Sequence, residues 1–146
     1  MKNNNIALFY TCSLIEFIGR QTKNERSLVV NLLGDNIERI YKYQDVFHSE
    51  PIEKVADDFI TRASIPNGQF DNVAKCLYQV PDYWDIGEVF ARLLEDCFSD
   101  NDVFQGLREV YNSWMAKKLL NFNSDLYYQS REYIAECYRN GQIIAA

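Results

Sequence analysis

Residues 6–19 read IALFYTCSLIEFIG, and this stretch decides the fold. When residues 5–20 are placed on a helix, apolar side chains cover most of its circumference, and Ser13, Glu16 and Arg20 remain as a polar stripe. A helix that is hydrophobic on nearly every side is surrounded by other parts of the protein. We therefore expect residues 5–20 to form a central, well-buried helix.

The remainder of the chain also places apolar side chains three and four residues apart, which is typical of helices. Helix starts are predicted where the sequence resembles an N-terminal cap, at Thr22, Asp35, Ser49 and Asp85. Further helices are predicted over residues 71–79, 103–121 and 124–139. No segment alternates with a period of two over the length of a strand. The sequence thus predicts an all-α fold, a helical bundle of about seven to eight helices.

The stretch SIPNGQ at residues 64–69 is the one clear interruption of the helical pattern. Serine, proline, asparagine and glycine together favour a loop over a helix. We expect this linker to separate an N-terminal helical subdomain, residues 1–63, from a C-terminal helical subdomain, residues 70–146. At 146 residues the chain has the usual length of one domain, so the two subdomains should pack together as one compact unit.

The composition and the charge argue against two classes of partner. The chain carries 15 Lys and Arg against 21 Asp and Glu, so its formal net charge is −6. Binding to nucleic acid through phosphates needs clustered basic residues, so nucleic acid is a disfavoured partner. Tyr10, Thr11, Ser13 and Glu16 interrupt the run that resembles a signal peptide, and no segment has the ~20 apolar residues of a membrane span. We therefore expect a cytoplasmic protein with no membrane partner.

Neither a metal nor a cofactor is expected. The cysteines Cys12, Cys76, Cys97 and Cys137 are widely separated, and the chain has one histidine. Zinc sites and redox pairs use closely spaced cysteines or several histidines. The acidic stretch DND at residues 100–102 lacks the later ligands of a calcium-binding loop, and no glycine-rich phosphate-binding loop occurs.

The single histidine, His48, lies in the stretch DVFHSEP and is a candidate catalytic residue. Asp45 precedes it by three residues, so on a helix its carboxylate could orient the imidazole as a general base. This pattern defines one alternative function, a small enzyme centred on His48 with Asp45. A histidine at the end of a helix also interacts favourably with the terminal carbonyl groups. We prefer this structural interpretation, in which the stretch joins two helices and the second begins at Pro51.

Residues 26–43 suggest a third function, a DNA-binding regulator. They could form a helix-turn-helix with Gly34 in the turn. The second helix would begin with DNIE, which places two acids ahead of Arg39 and Lys42. Such a helix offers few donors to phosphates and base edges, so DNA binding is not the expected function.

The chain is rich in aromatic residues, with ten Tyr, nine Phe and two Trp. Most of these should be core residues at helical spacing. Tyr and Trp that remain exposed are typical of protein-interaction surfaces. The candidate binding residues are Tyr83, Trp84, Trp114, Tyr127 and Tyr128. They lead to the main hypothesis, a non-enzymatic protein-interaction or regulatory module whose partner is another protein or a second copy of the chain.

Several stretches resemble a group of small, uncharacterised bacterial proteins. DIGEVFARLLEDC at residues 85–97, VYNSWMAKKLLNFNSDLYY at 110–128 and YIAECYRNGQI at 133–143 are similar to the C-terminal half of such proteins. LIEFIGRQTKN at 14–24 and IERIYKYQDVFHSEPIEKVADDFI at 37–60 are similar to their front half and to a compact domain of unknown function. The resemblance implies a soluble helical protein from a bacterium, and it implies no activity, ligand or catalytic residue.

Overall fold

A computed structural model describes residues 3–145, with side chains from residue 5 onward. In this part of the chain every regular element is helical, which confirms the predicted all-α fold. The α-helices there are α1 (Asn3–Thr22), α2 (Arg26–Leu33), α3 (Asn36–Lys42), α4 (Gln44–Phe47), α5 (Ile52–Ala63), α6 (Tyr83–Cys97), α7 (Val103–Tyr111), α8 (Trp114–Leu119) and α9 (Arg131–Asn140). Two 3-10 turns, Asp100–Asp102 and Asp125–Tyr128, precede α7 and α9. The outermost residues of the two predicted subdomains, 1, 2 and 146, lie outside the described residues.

The predicted central helix is α1, which packs against each of the helices α2 to α6. Leu14, Ile15 and Ile18 are fully buried in these contacts. Of the predicted polar stripe, Ser13 and Glu16 are also fully buried. A buried carboxylate destabilises the folded state unless it is paired and hydrogen-bonded, so the fold must supply Glu16 with a partner.

Helices α1 and α6 are in close backbone contact at Ser13 and Gly87. An ideal Cβ placed on Gly87 would lie 2.3 Å from Ser13 Oγ and 2.7 Å from Ser13 Cα. The contact therefore leaves no room for a side chain at residue 87. Because α1 lies within residues 1–63 and α6 within residues 70–146, the two predicted subdomains share one buried core.

The number of helices exceeds the prediction because two predicted helices are each divided. The helix predicted over residues 103–121 is α7 followed by α8, with the break at Ser113. The Ser113 hydroxyl accepts a hydrogen bond from the Met115 N–H at 3.2 Å and thereby caps α8. The helix predicted ahead of His48 is similarly divided at Tyr43 into α3 and α4.

Three helix starts differ from their predicted positions: the helix predicted from residue 124 begins at Arg131 after a 3-10 turn, and the caps of α6 and α2 each lie three residues from the expected residue. Asp82 is the N-cap of α6, and its carboxylate accepts a hydrogen bond from the Asp85 N–H while Asp85 accepts one from the Asp82 N–H. Thr22 belongs to the last turn of α1, where its hydroxyl donates to the Ile18 carbonyl oxygen. Helix α2 begins after Thr22, at Arg26, and this start brings Arg26 next to α1.

The connecting segment, residues 64–82 between α5 and α6, is irregular. The helix predicted over residues 71–79 is therefore wrong. A turn does begin as expected, since the Asp71 carboxylate accepts a hydrogen bond from the Ala74 N–H at 2.9 Å. It does not continue, because the Leu77 N–H bonds to a side chain elsewhere in the protein rather than to the backbone one turn earlier.

Side-chain amides hold the connecting segment against the chain that follows α8. Asn123 accepts a hydrogen bond from the Leu77 N–H at 2.8 Å and donates one to the Lys75 carbonyl oxygen at 3.0 Å. Asn72 donates to the Leu120 carbonyl oxygen at 3.0 Å. These bonds take the place of the backbone hydrogen bonds that a helix would have made.

Candidate binding surface

The centre of the molecule contains an ion pair between α1 and α2. Arg26 Nε donates a hydrogen bond to Glu16 Oε1 at 3.1 Å, and both side chains are fully buried. Burial raises the pKa of Glu16 above its ordinary value, while the charge of Arg26 acts in the opposite direction. Arg26 is therefore the partner that the buried carboxylate of α1 requires.

The same arginine also contacts the connecting segment at Phe70 and Asn72. Arg26 Nη1 donates to the Asn24 carbonyl oxygen at 2.9 Å, and Nη2 lies 3.4 Å from Asn72 Oδ1. The guanidinium carbon lies 5.9 Å from the centre of the Phe70 ring. Since Asn72 also bonds to the Leu120 carbonyl oxygen, a continuous set of polar contacts connects the buried ion pair with the C-terminal end of α8.

The connecting segment leaves large apolar side chains in contact with water. Leu77 is 80% exposed, Tyr78 is 65% exposed and Val73 is 37% exposed. Single exposed apolar side chains are common, whereas a contiguous group of them marks an interaction site. Leu77 and Tyr78 are adjacent in the sequence, and Asn123 holds the backbone at Leu77, so both exposed side chains extend from a defined position.

A cavity of about 250 Å³ lies between the connecting segment and α8. Its walls include Lys75, Lys117, Asn121 and Asn123, and they contain no aspartate or glutamate. Within the described part of the chain, neither lysine has a carboxylate within ion-pair distance. The cavity is thus basic, although the protein as a whole carries a net charge of −6.

A second cavity, of about 390 Å³, adjoins the first and shares Phe70, Lys117 and Leu120 with it. It extends toward the start of α2, where Glu25 and Ser27 lie on its wall. We call the two cavities together the Lys117 groove. Glu25 is the acidic residue of the groove, and it lies in the larger cavity.

His48 and Asp45 are both exposed, and neither residue lines the Lys117 groove. His48 Nδ1 lies 3.2 Å from Gln44 Nε2, and the Asp45 carboxylate accepts a hydrogen bond from the Val46 N–H at 3.0 Å. The imidazole ring stacks on Trp84, with the ring centres 5.6 Å apart. The carboxylate expected to orient the histidine therefore bonds to the backbone instead.

Tyr83 and Trp84 occupy the first turn of α6 and are half-buried. Tyr83 packs edge-on against Phe17, with ring centres 5.0 Å apart. Trp84 contacts Phe9 at 5.4 Å as well as His48. Most of the contact area of this pair is thus used inside the protein.

Trp114 and Tyr127 line two different cavities, and Tyr128 follows Tyr127 in the chain. Trp114 is half-buried and lines an open cavity of about 390 Å³ together with Tyr138. Tyr127 is half-buried and lines a cavity of about 210 Å³ beside Asp85. Tyr128 is 61% exposed. The Tyr127 and Tyr128 rings pack edge-on against each other, and Tyr127 shares its cavity with Asp85 of α6, whereas Trp114 lines a different cavity.

The two helices that suggested a DNA-binding motif are α2 and α3. The turn between them contains Gly34, whose φ of +53° suits glycine. Arg26 at the start of this pair is fully buried, whereas Arg39 and Lys42 are exposed. Glu38, on the same helix as these two, forms an ion pair with Arg108 of α7.

No cluster of metal ligands marks a further site in the described residues. No group of three or more His, Cys, Asp or Glu side chains there could hold a metal ion. The four cysteines are free, and burial raises the pKa of the Cys12 thiol, which lowers its reactivity. Between residues 3 and 145, no helix combines the length and the hydrophobicity needed to cross a lipid bilayer.

The residues of the Lys117 groove were not singled out by sequence patterns. Lys75 of the groove and the neighbouring Leu77 lie in a stretch whose spacing predicted a helix, and the hydrogen bond between the Leu77 N–H and Asn123 joins residues 46 positions apart. No protein-family model, curated protein or solved structure matches the chain.

Proposed function

We propose that the protein is a non-enzymatic protein-interaction module that binds its partner through the connecting segment. The observation that carries the proposal is the exposure of Leu77 and Tyr78, at 80% and 65%, on backbone fixed by Asn123. Burying a leucine side chain is worth about 1.5–3 kcal/mol. A partner that covers this pair gains that free energy without having to order the segment first.

The proposal keeps the class of function expected from the sequence and changes the surface that performs it. Four of the five aromatic residues predicted to bind are half-buried, namely Tyr83, Trp84, Trp114 and Tyr127. An interaction hot spot needs side chains that a partner can still cover. Leu77 and Tyr78 meet this condition better than the half-buried residues do.

Site-specific photo-cross-linking in cells that naturally make the protein tests this proposal. A photoreactive phenylalanine analogue is placed at Leu77, at Tyr78 or, as the control, at Tyr43, which is 45% exposed on a different part of the surface. We expect one discrete adduct from Leu77 and Tyr78 and none from Tyr43. Equal adducts at all three positions, or none at Leu77 and Tyr78, would contradict the proposal.

A second variant separates binding from folding. With the cross-linker at Val73, the double change Leu77→Ser and Tyr78→Ser should abolish the adduct. Because both side chains are exposed, the urea midpoint of this variant should stay close to that of the parent protein. An adduct that survives the double change would show that the two side chains do not form the contact.

A further inference from the structure

We infer that the partner presents a side-chain carboxylate, from Asp or Glu, next to an apolar residue, and that this carboxylate binds between Lys75 and Lys117. The inference rests on the proposed function, because it names the chemistry of the partner at the same surface. The apolar residue would cover Leu77 and Tyr78, which follow Lys75 along the connecting segment.

The charges around the smaller cavity of the Lys117 groove favour a negatively charged ligand group. Lys75 and Lys117 both line this cavity, and neither is neutralised by a carboxylate of the described residues. Two ammonium groups on one cavity wall attract an anion and repel a cation. A partner segment that carries a carboxylate would therefore bind here, although the net charge of −6 repels acidic partners elsewhere.

Hydrogen-bond donors are also available on the cavity wall. Asn121 Oδ1 accepts from the Asn123 N–H at 3.1 Å, and this contact leaves the NH₂ group of the exposed Asn121 side chain able to donate to a ligand. A carboxylate accepts up to four hydrogen bonds, and ammonium and amide groups are suitable donors. The cavity thus offers both the charge and the donors that a carboxylate requires.

Asn123 holds the backbone that joins the basic cavity to the apolar pair. Asn123 bonds to both the Lys75 carbonyl oxygen, at 3.0 Å, and the Leu77 N–H, at 2.8 Å. A charged subsite at a fixed distance from an apolar subsite can recognise two neighbouring residues of a bound peptide segment. Because the backbone between the two subsites is already held in place, binding also costs less conformational entropy. Glu25 lines the larger cavity, so we expect the partner's carboxylate to bind in the smaller cavity, whose lining contains no acidic residue.

Selection from a displayed library of random peptides, with amidated C-termini, tests the inference on the full-length protein. We expect Asp or Glu beside an apolar residue to be enriched about tenfold over the unselected library, a ratio that corresponds to about 1.4 kcal/mol. The double variant Lys75→Glu and Lys117→Glu should instead enrich Lys or Arg at that position. The matched control, Arg39→Glu with Arg62→Glu, makes the same change in net charge at exposed residues away from the groove and should still select acids.

The outcomes distinguish this inference from the proposed function. Peptides that require Leu77 and Tyr78 but carry no acid would overturn the inference and leave the proposed function standing. Failure to select any peptide that requires Leu77 and Tyr78 would contradict both. The control variant Arg39→Glu with Arg62→Glu could lose the enrichment of Asp and Glu as completely as the Lys75 and Lys117 variant does. That outcome would show that the preference comes from net charge, and it would contradict a site between Lys75 and Lys117.

Two further experiments distinguish other possible ligands, which are a C-terminal carboxylate and a second copy of this chain. A library with free C-termini that selects only terminal carboxylates would replace the side-chain carboxylate by a chain end and overturn the inference. If the occupant is a second copy of this chain, the protein will sediment as a dimer that Lys75→Glu with Lys117→Glu converts to a monomer. That result would also overturn the inferred partner.

Discussion

Arg26 and Glu16 form an ion pair that lies wholly inside the protein, with Arg26 Nε 3.1 Å from Glu16 Oε1 and neither side chain exposed. The pair joins α2 to the central helix α1. Through Asn72 it also reaches the connecting segment that carries the proposed binding surface. Because the two charges compensate each other inside the core, loss of one leaves the other buried without its ion-pair partner.

Replacing Arg26 by alanine should therefore destabilise the protein severely. We expect a loss of about 3–5 kcal/mol in the free energy of unfolding, measured by urea denaturation. The control is Lys54→Ala, which removes the exposed pair between Lys54 of α5 and Glu50 and should cost less than about 1 kcal/mol. Similar losses in the two variants would show that burial adds nothing to the Arg26 contact.

Glu16 should make the stability depend on pH in a predictable direction. Burial raises its pKa above the ordinary value of 4.5, so at pH values between the two pKa values the native state holds a proton that the unfolded chain has released. The stabilisation from this proton is complete below pH 4.5 and is lost as pH rises through the native pKa. The wild-type free energy of unfolding, relative to that of Glu16→Gln, should therefore fall as pH rises from about 4.5.

Urea denaturation of both proteins over a series of pH values measures this difference. Glu132→Gln, which changes an exposed glutamate near the start of α9, serves as the control. If the free energy of unfolding of the wild type, minus that of Glu16→Gln, rises with pH, then the charge of Arg26 lowers the pKa of Glu16 by more than burial raises it. That sign would contradict the environment inferred for Glu16.

Gly87→Ala should separate α1 from α6. The added Cβ would lie 2.7 Å from Ser13 Cα and 2.8 Å from Ser13 N, so it meets backbone that cannot rotate away. We expect a loss of about 1–3 kcal/mol, seen as a lower thermal midpoint. Adding Ser13→Gly should not restore stability, because the clash with the backbone remains. Full rescue by that second change would place the clash at the Ser13 hydroxyl instead.

The helical class and the central position of α1 could be predicted because they depend on local spacing. Residues 5–20 are apolar on most sides, and the structure places them at the centre of the protein. The polar stripe was also visible in the sequence, but its partner was not. Arg26 follows a stretch that resembles a helix cap at Thr22, and only the fold shows that α2 starts later and brings Arg26 to Glu16.

The binding surface could not be predicted because long-range hydrogen bonds override local preference there. The spacing at residues 71–79 favours a helix, yet Asn72 and Asn123 bond to backbone groups across the fold. An asparagine side chain can satisfy the same backbone groups that a helix would satisfy, and sequence spacing does not reveal which is used. Leu77 is exposed in the irregular backbone that these asparagine side chains hold.

Asn123→Ala tests whether this asparagine holds the binding surface in place. The change removes the hydrogen bonds to the Leu77 N–H and the Lys75 carbonyl oxygen, so the Leu77 amide should exchange with solvent faster. Because these groups are exposed, the global free energy of unfolding should fall by no more than about 1–2 kcal/mol. The control, Asn140→Ala, removes an exposed amide that bonds to Glu136 and should leave Leu77 exchange unchanged.

The same variant should weaken binding without altering any residue that the partner is proposed to cover. A segment that is free to move must be ordered when the partner binds, and this ordering lowers affinity. Peptides selected on the parent protein should therefore bind Asn123→Ala more weakly while their preference for acid beside an apolar residue persists. Faster exchange at Leu77 with undiminished affinity would show that the partner does not need a preformed surface, whereas unchanged exchange would show that Asn123 does not restrain the segment.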